Sequence, residues 1–227
     1  MADSIRTAKK SKFSGGFVTV AAGTGDERQE FHVHEDVIKE QSQYFRKAFD
    51  AKCQEGKTRV IELPEDEAAI VACYVDWFYS HSISIPSIID LPILSDKSII
   101  INHLLRLYIF GEKIQDDAFC NEALCASMRL SDEKDEEGAR WFPTKEDVAI
   151  IYDGTPEGSP ARQLMVYLHV RYGSSSWIAK QYEENHPQFL VDLCKALLGK
   201  VQELDREDSY VGSLYDMRHT WMKRCKK

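Results

Sequence analysis

Phe31-His32-Val33-His34-Glu35-Asp36-Val37-Ile38-Lys39-Glu40-Gln41-Ser42-Gln43-Tyr44-Phe45-Arg46-Lys47-Ala48-Phe49 runs a short strand straight into a helical pattern. Val37/Ile38, Gln41, Tyr44/Phe45 and Ala48/Phe49 recur three and four residues apart, the spacing of one helical face, while Glu35, Asp36, Glu40 and Arg46 fall mostly elsewhere. The spacing predicts a helix over 34–49 that buries this face. Upstream, Phe17–Val20 has strand composition, Gly23-Thr24-Gly25-Asp26 is a turn, and residues 29–33 return, which together make a β-hairpin. Downstream, residues 58–63 form a third strand with Ile61 and Leu63 on one face.

At Pro64 the pattern turns helical. Glu65, Asp66 and Glu67 fall in the expected first turn, where negative side chains meet the positive end of the helix dipole, and Ile70, Cys73/Tyr74 and Trp77/Phe78 recur after them. Ile83-Ser84-Ile85 alternates like a short strand, and Pro86, Ser87, Asp90, Pro92, Ser95 and Asp96 mark a loop. Residues 99–111 and 116–128 are expected to be two helices joined by a tight turn. The acidic run from Ser131 to Gly138 has nothing apolar to bury and is expected to end the first domain. Beyond it, Thr144-Lys145-Glu146-Asp147 has capping-box spacing, and Ser159-Pro160 places an N-cap before a proline at the first helical position. A last helix from His186-Pro187 carries Phe189/Leu190, Leu193/Cys194, Leu197/Leu198, Val201 and Leu204 on one stripe. Whether that stripe closes on this chain, the preferred reading, or on a partner is open from spacing alone.

The pattern Phe31-x-x-His34-x-x-x-Ile38-x-x-x-Ser42-x-x-Phe45-x-x-x-Phe49 after a glycine-containing hairpin resembles the opening of the BTB/POZ domain, a protein-interaction module. Ile61-Glu62-Leu63-Pro64, Trp77-Phe78-Tyr79 and Leu104 to Ile114 are similar to its later strand and helices, so the resemblance covers about residues 13–130. It implies an α/β fold, a small sheet flanked by helices, followed by a mainly α-helical C-terminal region. The expected division is a flexible N-terminus at 1–12, a BTB/POZ-like interaction domain at 13–130, an acidic linker at 131–143 and a helical extension at 144–227. Residues 151–160 and His186-Pro187-Gln188-Phe189 look like the extension of fungal BTB proteins, which suggests a fungal source.

The function implied is that of a non-enzymatic adaptor or scaffold that binds other proteins, either as a substrate adaptor for a cullin ubiquitin ligase or as a transcription-linked or signalling scaffold independent of cullin. Cullin-binding relatives carry an apolar-x-Glu motif after the first helices, and Cys53-Gln54-Glu55 lies in the corresponding place. The candidate partner-binding residues are therefore Phe49, Cys53 and Glu55, although Cys replaces a larger apolar residue and a solvated surface loop explains the same residues. Long-form relatives dimerise through a helix and strand ahead of the core, where this chain has about a dozen polar residues before Phe13. A homo-oligomer is open, a swapped dimer is not expected, and with no Kelch, MATH, zinc-finger or channel segment the region from Thr144 onward would have to recognise a substrate.

Composition narrows the classes further. A formal charge of −8 and a pI near 5.4 oppose a chain built to neutralise phosphates, and the basic clusters Arg6/Lys9/Lys10/Lys12 and Lys223/Arg224/Lys226/Lys227 sit at the termini. No nucleic acid is expected as partner. The longest apolar run, Ala68 to Val75, is too short to span a bilayer, no secretory core opens the chain, and no membrane partner is expected. Cys53, Cys73, Cys120, Cys125, Cys194 and Cys225 form no Cys-x-x-Cys pair, consistent with reduced thiols in cytoplasm or nucleus.

No nucleophile elbow, phosphate-binding glycine loop or zinc-protease helix occurs, so no catalytic or cofactor-binding residue is assigned and no cofactor is expected. His32 and His34 share a strand face but lack a completing ligand, which leaves no metal site assigned. Asp116-Asp117 and Glu183-Glu184 are adjacent and point apart on a helix. An unrecognised enzyme stays the remote alternative.

Overall fold

The computed structural model describes residues 15–83, 95–134, 138, 140, 142–179 and 185–207, with side chains from Ser98 at the start of one helix and to Gln202 at the end of another. Ser84 and Ile85 of the short strand expected at 83–85, the loop from Pro86 to Pro92, Glu183-Glu184, both basic termini, Cys225 and Asp135, Glu136 and Glu137 of the acidic run lie outside the described residues.

Strands β1 (Phe17–Ala22) and β2 (Gln29–His34) pair antiparallel, with Phe17 opposite His34 and Ala22 opposite Gln29. Strand β3 (Val60–Leu63) lies parallel to β1 on its other side, giving the order β2-β1-β3. Val18, Val20, Val33, Ile61 and Leu63 point from this small sheet into the core. β3 starts at Val60 rather than Thr58, because Gln54–Thr58 form a short helix and Arg59 adopts a left-handed backbone (φ 58°).

The single helix expected over 34–49 is two helices, α1 (Glu35–Gln41) and α2 (Gln43–Ala48). Ser42 between them is extended (φ −115°, ψ 130°) and buried. Its hydroxyl accepts from the Phe45 N–H at 3.2 Å and donates to the Ile114 carbonyl at 2.5 Å, so it caps α2 and satisfies the end of a distant helix. The apolar face survives the break, with Val37, Ile38, Phe45 and Phe49 all buried.

The short helix is α3 (Gln54–Thr58), and α4 (Ala68–Ser80) begins later than expected. Glu67 is its extended N-cap, so Glu65, Asp66 and Glu67 precede the first turn instead of filling it. Asp66 and Glu67 face another helix, pairing with Lys113 at 2.6 Å and Arg106 at 2.9 Å. That helix, α5 (Ser95–Ile114), takes in Ser95 and Asp96, which the loop had been expected to hold. α6 (Asp117–Asp132) packs closely on α5 at Gly111, where a Cβ would stand 2.6 Å from Cys120 Sγ. Tyr74 is the aromatic hub, its ring centroid 4.4 Å from Phe78, 4.8 Å from Phe119, 5.4 Å from Phe110 and 6.2 Å from Phe45.

The C-terminal part is helical: α7 (Lys145–Gly154), α8 (Pro160–Tyr172), α9 (Ser175–Ala179) and α10 (Pro187–Glu207). Thr144 and Asp147 form the expected capping box. Ser159 precedes Pro160 as expected but does not cap through its side chain; its hydroxyl meets Tyr108 at 3.0 Å and Glu112 at 3.2 Å, tying α8 to α5. Val148, Ile151, Tyr152, Ala161, Met165, Phe189 and Leu193 join the same hydrophobic cluster as the sheet, α1, α2, α4, α5 and α6. The stripe on α10 packs internally only at its start. Phe189 and Leu193 are buried, whereas Leu197, Leu198 and Val201 are 45%, 64% and 52% exposed.

Burial pushes the imidazoles of His103 on α5 and His169 on α8 below the usual histidine range. A histidine kept neutral by the fold binds fewer protons than in the unfolded chain, so its contribution is complete above the ordinary value of 6.5 and declines as pH falls below it. The melting temperature is therefore expected to drop on going from about pH 7.5 to about pH 5.5. His169→Asn, which keeps a donor toward the Met165 carbonyl 2.8 Å away, should flatten that profile; an unchanged slope would remove His169 as its source.

Candidate functional site

The segment from α2 to β3 carries the residues singled out for partner binding. Phe49 closes α2, is 3% exposed, and stacks 6.2 Å from Phe45. A tight turn follows, in which the Asp50 carbonyl accepts from the Cys53 N–H at 2.9 Å and the Asp50 carboxylate from the Lys52 N–H at 3.0 Å. Cys53 Sγ, partly exposed, donates back to the Lys47 carbonyl at 3.4 Å. Gly56 lets α3 lie directly against this turn, since any Cβ there would collide with the Asp50 carbonyl oxygen. Arg59 then ends α3 in its left-handed conformation, with its guanidinium on the Glu35 carboxylate and, at 3.2 Å, on the Phe17 carbonyl.

Glu55, half-buried in the first turn of α3, borders a groove of about 480 Å³ lined also by Tyr44, Gln54, Thr58, Val60, Ile61 and Glu62. Glu62 is already paired with Arg28 at 3.1 Å. Burial pushes the Tyr44 phenol above its ordinary range, which keeps it a neutral donor and acceptor. The apolar side chain of Val60, the Tyr44 phenol and the Glu55 carboxylate make a surface that can seat an apolar side chain and accept hydrogen bonds from a partner's amide or cation.

The three candidate residues are thus divided. Glu55 and Cys53 sit on the surface segment, whereas Phe49 belongs to the aromatic core and has no face to offer; it holds the turn in place instead. Tyr44 escaped notice as a surface residue because its spacing with Phe45 assigns both to the buried face, yet only Phe45 is enclosed (1% exposed). The short helix was hidden by Gly56, a poor helix former whose need is set by contact rather than by propensity.

Other reactive groups are occupied in structural roles. Cys73 Sγ lies 3.5 Å from His103 Nε2, but burial raises the thiol and lowers the imidazole, so the proton stays on sulfur and no thiolate nucleophile is prepared. Cys120 is pushed up to about 12 by burial. His32 Nδ1 is 3.1 Å from Thr19 Oγ1, and His34 Nδ1 is 3.0 Å from the Tyr79 hydroxyl with its ring against Phe17. Among the described residues no group of three metal-ligating side chains converges, no disulfide forms, and no helix is long and apolar enough to cross a membrane.

Residues 10–106 match the BTB/POZ domain family, a span that runs from ahead of β1 into the middle of α5. No curated protein matches the chain. The small three-stranded sheet with flanking helices is the fold that such a match requires, and such domains are modules for binding other proteins.

Proposed function

We propose that this BTB/POZ-containing chain is a non-enzymatic protein-interaction adaptor that offers the α3–β3 groove, with Glu55 at its edge, to the N-terminal region of a cullin, and leaves its C-terminal helices to hold a cargo protein. What supports this reading above all is that Glu55, inside the matched span, stands half-exposed beside a groove, and that Cys53-Gln54-Glu55 resembles the apolar-x-Glu motif of cullin-binding relatives. The acidic linker separates the two tasks in sequence, and the setting is the cytoplasm or nucleus.

Titration calorimetry against a cullin N-terminal region tests it. Glu55→Ala and Tyr44→Ala are each expected to weaken binding about tenfold, the loss of about 1.4 kcal/mol that one good interfacial contact supplies. No measurable association by the wild type would eliminate the cullin reading. Cys53 favours a second reading: its sulfur turns to the Lys47 carbonyl, so the segment lacks the protruding apolar knob of the motif. On that reading the chain is a transcription-linked or signalling scaffold that needs no cullin, and proximity labelling should return chromatin or signalling proteins rather than ligase components.

A further inference from the structure

Helix α10 has two apolar faces, of which the described residues cover one. Phe189 is buried with its ring against Tyr152 of α7 and His169 of α8, and Leu193 is buried one turn on. Val191, Cys194, Leu198 and Val201 form a second row, and all four are exposed, as is Leu197 beside them. Their spacing of three, four and three residues is the a/d spacing of a seam that receives another helix. Aliphatic surface of this kind gains about 25 cal/mol for each Å² that a neighbour covers.

Magnitudes separate the two occupants whose chemistry fits, a second copy of α10 and the stretch of chain that follows it. The open row runs from Val191 to Val201, about 15 Å of helix at about 1.5 Å per residue. Two copies sharing only that row would bury far less than the roughly 1,200–2,000 Å² of a stable interface between chains. A segment tethered to α10 needs much less area, because its effective concentration at the row is about millimolar. Residues 208–227 follow α10 directly and have the required pattern. Gly212 is a turn signal, and Ser213-Leu214-Tyr215-Asp216 repeats the Ser/Thr-x-x-Asp spacing that starts α7 at Thr144. Leu214, Met217 and Trp221 then recur three and four residues apart, the complement of the row on α10.

We propose that residues 213–225 return antiparallel to α10 as a helix and close its open row from within the chain. Residues 208–212 then make the turn, within the two to five residues that usually join antiparallel helices. Such a turn brings Trp221 beside Leu198, Met217 beside Val201 and Cys225 beside Cys194, each to within one helical turn. Lys223 and Arg224 fall in the last turn of the returning helix, where cations suit the negative end of its dipole. With the row filled in this way, a cargo protein has to use another surface of the extension. The proposal does not depend on the cullin reading, since both helices lie outside residues 10–106.

Hydrogen exchange of the full chain, followed by mass spectrometry, tests this. The backbone amides of residues 214–222 are expected to exchange roughly tenfold or more slowly in the wild type than in Leu198→Glu, and Trp221→Ala should release them likewise. Leu198 is 64% exposed, so Leu198→Glu should leave the exchange of α1 to α8 unchanged. A short bismaleimide is expected to join Cys194 to Cys225 within one chain, in a yield that both variants lower. Unprotected amides at 214–222 in the wild type, or protection that survives Leu198→Glu, would overturn the proposal. So would protection that is lost on dilution together with links between the Cys194 thiols of two chains, which would make a second copy the occupant.

Discussion

Phe45→Ala is expected to cost about 3–5 kcal/mol of folding stability, the usual range for emptying an enclosed aromatic site. Phe45 is 1% exposed and sits between Phe49 and Tyr74, each 6.2 Å away and with its ring nearly parallel to that of Phe45, so its removal leaves a void that two rigid rings border and neither can fill. Urea denaturation followed by fluorescence and circular dichroism measures the loss, and Phe45→Leu, which retains most of the volume, should lose markedly less. A midpoint unchanged by Phe45→Ala would mean that the α2 face does not pack as described. The same variant should weaken any partner that uses the α3–β3 groove, since Tyr44, Phe45 and Phe49 together set where α3 starts.

Asp116→Ala is expected to cost about 2–4 kcal/mol, made up of about 1 kcal/mol for a lost helix cap and about 1–3 kcal/mol for a buried hydroxyl left without its acceptor. Asp116 is 2% exposed; one carboxylate oxygen accepts from the Phe119 N–H at the start of α6, the other from the Tyr74 hydroxyl, both at 3.0 Å. Burial and the neighbouring carboxylate push the Tyr74 phenol well above its ordinary range, so this hydroxyl donates at any accessible pH. Asp116→Asn keeps an acceptor for the cap or for the phenol and should recover part of the loss. Equal stability of Asp116→Ala and wild type, measured by denaturant titration, would contradict the bridge between α4 and α6.

The helical extension gives the clearest case of local and long-range information agreeing. The Thr144–Asp147 capping box needs only residues three apart, and the start of α7 follows from it. Ser159-Pro160 marks the start of α8 equally well, yet the serine hydroxyl is drawn to Tyr108 and Glu112 on α5, a choice set by packing across 51 residues of sequence. Ser42 behaves alike: a serine within a helical pattern signals competition for the backbone, but its second partner, the Ile114 carbonyl, lies 72 residues away.

The candidate surface was legible in the same uneven way. Glu55 could be found from its place after Phe49, whereas the groove beside it requires Tyr44 from α2 and Val60 from β3, two elements whose relative placement no spacing states.

Alternation and helical spacing, which depend on residues two to four apart, determined by themselves that a hairpin leads into helices, which faces are apolar, and where capped helices begin. Tertiary structure alone decided that Glu55 stands beside Tyr44 and Val60 at the surface, that α1 and α2 part at Ser42, and that α10 buries Phe189 and Leu193 but exposes Leu197, Leu198 and Val201. The physical reason is that burial is a property of what arrives from elsewhere in the chain: a side chain's own neighbours fix its direction, and only the elements packed against it fix whether water remains.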